Sequence, residues 1–340
     1  MSLSTSNVGG ELPTLGGVTP LYGFSTDVDP LVITNSETIT KSTEEHLSFF
    51  HTDDVFLRHI GLYQPQHFIW HKVELSPDEI VAILRYVRGL GTDVLRGDIT
   101  SAGPFGSLLH PVSDFLRALH VFKPGRLIAG DTSFFMQMQG AASTTLCLSR
   151  CSEMTIDFQF VQEYHPHYEF NEDDVLGFLK FMVHFYKARL KSLGYPQIDL
   201  ALWRYAKETS LYGDPVELMI SLEALLVPEE EGIAFRLAQR VANLLGGDAT
   251  TRKELFRQMR DFYGLRSKTV HGAMLRKRDA TALQQVDSLR EITRRVLLSV
   301  MALAADIGLE QDLYTALNDA CFDDELRQSI QSKAAALLHC

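Results

Sequence analysis

The feature that most constrains this chain is the punctuation of its second half. From Asn171 onward, residues that start and stop helices recur at helix-sized intervals. Asn171 precedes an apolar-periodic run that reaches Gly194. Asp214 as the cap and Pro215 at the first position open "DPVELMISLEALLV", which ends before Pro228. Glu229, Glu230 and Glu231 precede "GIAFRLAQRVANLL", and Gly246 and Gly247 close it. Acids near the start, proline at the first position and glycine past the end are what a helix needs at its termini. The same pattern predicts helices in "QIDLALWRYAKETS", "ATTRKELFRQMRDFYGLRSKTV" and "DATALQQVDSLREITRRVLLSVMALAADI", with two shorter ones closing the chain. Residues 169–340 are therefore expected to form an all-α bundle.

Residues 1–168 have a different texture. "DPLVITNSETIT", "FIWHKVEL", "TSFFMQMQG" and "EMTIDFQFV" read as strands, the first and last by period-two alternation. "SPDEIVAILRYVRGLG" reads as a helix with Ser76 as N-cap, Pro77 first and Glu79 as the capping-box acid. Gly, Pro and Ser interrupt this half throughout. The fold class expected is α+β: a mixed N-terminal domain with a sensing, regulatory or targeting role, followed by the bundle.

Charge narrows the function. With 32 Lys and Arg against 43 Asp and Glu, the net charge is -11, so a nucleic-acid site would have to be a local basic patch. No apolar run approaches the roughly 20 residues of a membrane helix. The opening "MSLSTSNVGGELPTLGG" lacks the basic and apolar parts of a secretory signal. The expectation is a cytoplasmic chain whose four cysteines are free thiols.

The chemistry concentrates in "YGLRSKTVHG", Tyr263 to Gly272. At about 100° per residue, Leu255, Met259 and Phe262 define an apolar stripe, and Arg266 falls near its centre. A guanidinium is costly to bury alone, so Arg266 must meet a carboxylate, a solvent-filled groove or another chain. Glu223, the acid inside the apolar helix that buries Leu218, Leu222, Leu225 and Leu226, is the nearest candidate. Gly272 permits a left-handed cap, which leaves His271 near the helix end, where its near-neutral pKa suits acid–base work. An ordinary ion pair and a helix-end histidine are the bland alternatives.

Three linked segments, "DPVELMISLEALL", "FRLAQRVANLLGG" and "FYGLRSKTVHG", together resemble the HEPN domain in its ApeA-like bacterial form, over about residues 171–320. The resemblance places Arg266, Ser267 and His271 on the family's Arg–polar–His motif, with Gly272 following. It implies a helical homodimer acting as a metal-independent endoribonuclease, without a cofactor, in bacterial antiviral defence or as a toxin-like effector. His271 would be the base for the RNA 2′-hydroxyl, and Arg266 would stabilise phosphorane charge. Ser267 would position a phosphate oxygen, and Glu223 would orient the guanidinium. Partners implied are RNA, with tRNA as one case, and an antitoxin or trigger molecule. The alternative is a catalytically silent HEPN module that binds RNA, a nucleotide or a protein. Five residues of helix separate Arg266 from His271 by about 140°, so a composite site across a two-fold axis is expected.

Arg276, Lys277 and Arg278 form the densest basic run in the chain, with phosphate contact and a solvated loop as its two readings. Cys147, Cys151, His165 and His167 resemble a zinc set only faintly, because one residue separates the histidines. His67 and His71 read as packing. No Rossmann fingerprint, Walker motif or nucleophile elbow is present.

Overall fold

The structure is a computed structural model. It describes residues 14–22, 24–41, 67–74, 78, 106–125, 127–129, 132–138, 144–151, 168–192, 194–207, 213–272, 274, 281–307 and 311–338. The chain is α+β, with a small antiparallel sheet ahead of a helical region. It divides into two compact units. One holds the strands; the other holds the helices described from Asp173 onward together with Phe115–Arg126.

The sheet is built on β1 (Thr14–Tyr22), which lies between β5 (His67–Glu74) and β7 (Thr132–Met138), antiparallel to both. β4 (Glu37–Lys41) pairs with β5, β3 (Leu31–Val32) with β4, and β8 (Thr144–Cys151) with β7. A short β6 (Ile128–Ala129) also pairs with β1. β2 (Phe24–Ser25) and β9 (Tyr168–Glu169) form a separate parallel pair. The alternation in "DPLVITNSETIT" is a hairpin rather than one strand. The Thr34 hydroxyl accepts from the Ser36 and Glu37 amides at 3.0 and 2.9 Å, and that local turn splits the run. His71 is fully buried beside Thr19 at 3.3 Å, and His67 packs edge-on against Phe24. The sequence-assigned elements in "SPDEIVAILRYVRGLG" (apart from helical Asp78) and "EMTIDFQFV" lie outside the described residues.

α1 (Gly106–Phe122) was not anticipated from the sequence. Its final turn is capped by Arg294, whose guanidinium donates to the carbonyls of Val121 and Phe122. α2 (Glu172–Lys191) buries Phe178, Phe181 and Phe185 in an aromatic cluster with Phe115 and Phe122. α3 (Pro196–Ala206) is tied to α2 by an ion pair between Arg189 and Asp199.

The core helix is α4 (Gly213–Leu226). Leu218, Met219, Leu222, Leu225 and Leu226 on it are almost inaccessible, and it packs against α3, α6 (Ala249–Val270) and α7 (Val286–Ile307). Asp214 is not the N-cap: the helix starts at Gly213, and the buried Asp214 carboxylate pairs with Arg290 of α7 at 3.1 Å. α5 (Ile233–Leu245) packs closely on α6. Gly246 joins them because a Cβ there would lie 2.6 Å from the Ala242 carbonyl oxygen and 3.0 Å from the Arg252 backbone. Asp248 caps α6 by accepting from the Thr251 amide at 2.7 Å. α8 (Gln311–Asp319), α9 (Asp324–Ala334) and a 3-10 turn (Ala335–Leu337) close the bundle.

Fully buried Arg240 on α5 is the second polar anchor. It donates to Glu229, to the Leu226 carbonyl and to Asn318, so one side chain fixes the end of α4 to α5 and α8. Among the described residues, no helix is long and apolar enough to cross a membrane.

Candidate active site

The candidate site lies at the C-terminal end of α6. The buried stripe of this helix is Met259, Phe262 and Leu265. Arg266 is therefore not at its centre, as the 100° projection from Leu255 suggested. Leu255 is itself only half-buried, and the stripe turns so that Arg266 lies at its edge with a side chain 23% exposed. That edge position lets the aliphatic stem pack while the head stays within reach of water.

Arg266 meets Glu223 of α4. Its Nη2 lies 3.5 Å from the Glu223 carboxylate, whose side chain is 20% exposed. The contact is long, and it leaves polar capacity over: Glu223 Oε1 and Arg266 Nε are buried with no hydrogen-bond partner. Burial pushes the Glu223 carboxyl above the ordinary carboxylate value, and the Arg266 charge opposes that only in part. An under-satisfied guanidinium beside a carboxylate that holds it loosely can turn toward an incoming anion. The Arg266 guanidinium also lies 5.9 Å from the centre of the Tyr263 ring. Tyr263 received no role from the sequence, although its position one turn before Arg266 was the signal for it.

Beyond Val270 the helix ends in a defined way. His271 is the C-cap, its amide donating to the Ser267 carbonyl at 3.1 Å. Gly272 takes φ 64°, the left-handed conformation that makes glycine the fitting residue there. His271 is exposed as a result, and the half-buried Ser267 side chain lies one turn before it. Arg266 and His271 are not hydrogen-bonded to each other within the chain. The structure thus brings Glu223 and Arg266 together and presents His271 separately at the helix end.

Arg276, Lys277 and Arg278 lie outside the described residues, as do His165 and His167. Among the described residues, no cluster of three or more His, Cys, Asp or Glu is placed to hold a metal ion. Comparison with known protein families, with curated proteins and with solved structures returned no match.

Proposed function

We propose that the protein is a metal-independent endoribonuclease of the HEPN type, active as a homodimer and serving bacterial defence or a toxin-like role. The observation that supports this best is the end of α6. There a loosely held arginine and a solvent-facing histidine lie within about a turn and a half of each other, and the helix stops at a left-handed glycine.

RNA carries its own nucleophile. His271 takes the proton of a 2′-hydroxyl, whose oxygen attacks the adjacent phosphorus. The bond from phosphorus to the 5′-oxygen breaks, that oxygen takes a proton from water, and the His271 imidazolium returns its proton to the solvent. The products are a 2′,3′-cyclic phosphate and a 5′-hydroxyl. Arg266 stabilises charge on the phosphorane oxygens, Glu223 positions Arg266, and Ser267 holds a phosphate oxygen. Arg276, Lys277 and Arg278 contact flanking phosphates. A two-fold partner supplies the second Arg–His set, which one helix cannot converge on the same bond. The remainder of the chain senses a trigger or recruits the RNA.

The separation of Arg266 from His271 within one chain also fits a binding module that makes no cut. Cleavage decides between them. Total RNA or tRNA should be cut in EDTA, and DNA should be untouched because it lacks the 2′-hydroxyl. Activity that EDTA abolishes and magnesium restores would overturn the mechanism. Tight RNA binding without any cut would favour the module.

A further inference from the structure

Nine large apolar side chains are exposed among the described residues, and three of them are on α2. Leu176, Val183 and Leu190 follow one another at seven-residue intervals and are 63%, 53% and 69% exposed. At about 100° per residue they fall within roughly 40° of each other, opposite the buried Phe178, Phe181 and Phe185. Half-buried Leu179 stands three residues after Leu176 on the same side. Scattered exposed leucines are ordinary on a protein surface, but a seven-residue repeat on the far side of a helix already packed by its phenylalanines is the pattern of a helix–helix seam.

The charges beside this seam indicate what covers it. Glu172 and Asp173 are exposed at its N-terminal end, and Lys187 and Lys191 at its C-terminal end. A second copy of the same helix, laid antiparallel, brings the acids of each chain beside the lysines of the other, twice over. It also sets the helix dipoles in opposition. A parallel copy would stack like charge on like. Lys180, near the middle, has a stem long enough to carry its ammonium out to water.

We propose that α2 is a two-fold, antiparallel self-association face, with a second copy of this chain as its partner. The helix is 20 residues, about 30 Å, so the interface is at the small end for specific association. The inference rests on α2 alone and is independent of the ribonuclease reading.

Analytical ultracentrifugation of the full chain at roughly 50 µM, a concentration high enough to populate weak association, tests it. Val183→Glu should halve the mass, whether the wild type is a dimer or a larger assembly. Lys187→Glu with Lys191→Glu should do the same without touching the apolar seam, with circular dichroism confirming the fold. Adding Glu172→Lys and Asp173→Lys to that double variant should restore the wild-type mass, as only a self-complementary seam would. A mass indifferent to these changes, as when another segment or a different partner covers α2, would overturn the proposal. So would a four-charge swap that stays as dissociated as the double variant. A wild type that loses half its mass on these changes, yet in its associated form cuts no RNA, would sink the ribonuclease reading and leave this one standing.

Discussion

Glu223 is held against its own charge. Burial raises its carboxyl pKa more than Arg266 lowers it, so the ion pair adds little to stability and its value lies in where it leaves the guanidinium. Glu223→Gln keeps the shape and removes the buried charge. We expect its unfolding free energy to stay within about 0.5 kcal/mol of wild type, while RNA cleavage falls on the order of tenfold as Arg266 loses its guide. Denaturation and single-turnover cleavage, measured side by side, check this. Unchanged cleavage would remove the positioning role. His120 gives a second prediction at this scale. Burial, helped by the nearby Arg290 charge, lowers its pKa to about 3, against 6.5 for a free histidine. The unfolded chain therefore takes up a proton below pH 6.5 that the folded chain refuses. Stability is full above pH 6.5 and lost as pH falls toward 3, by about 2 kcal/mol at pH 5 from this residue. In urea titrations, His120→Gln should show a smaller loss of stability between pH 7.5 and pH 5 than wild type.

Helices announce themselves in this sequence where their ends do. α5 and α6 match the reading because Gly246 and Gly272, which follow them, are local signals, and a local signal survives whatever packs around it. α1 was missed because Pro111 lies five residues into it and Gly and Ser surround its start, which read as loop punctuation. Asp214 was read as a cap because the residue type and the following proline fit one. Its partner, Arg290, is 76 residues away, and no local pattern reveals such a pairing. Arg266 shows the same limit in angular form: the cost of burying a lone guanidinium pointed to Glu223, but the ideal projection put Arg266 near the stripe's centre and could not show that the buried stripe turns away from it. For α4 the legible part was its leucines. Leu222 is fully buried, so Leu222→Ala should cost about 2–5 kcal/mol in a denaturant titration, in contrast to its neighbour Glu223.

At the scale of the molecule, the proposed ribonuclease carries a net charge of -11 and would have to bring RNA to a small basic region, so its binding to RNA is expected to weaken steeply with salt. The passage from a small sheet to a helical region was legible as a change of periodicity. The grouping of Phe115–Arg126 with the helices was not, because the contacts that accompany it are far apart in sequence: Arg294 caps α1, and Phe115 and Phe122 pack on Phe178. The catalytic proposal stands on His271, an exposed residue at a helix end that contributes nothing to the core, so its removal tests chemistry without confounding it with folding. The most direct measurement is the rate of cleavage of end-labelled RNA in EDTA by wild type and His271→Ala, with the 3′ ends of the products identified. The account predicts 2′,3′-cyclic phosphate ends from the wild type and a rate on the order of 10²-fold lower or less from the folded variant. Equal rates, or products ending in a 3′-hydroxyl, would contradict it.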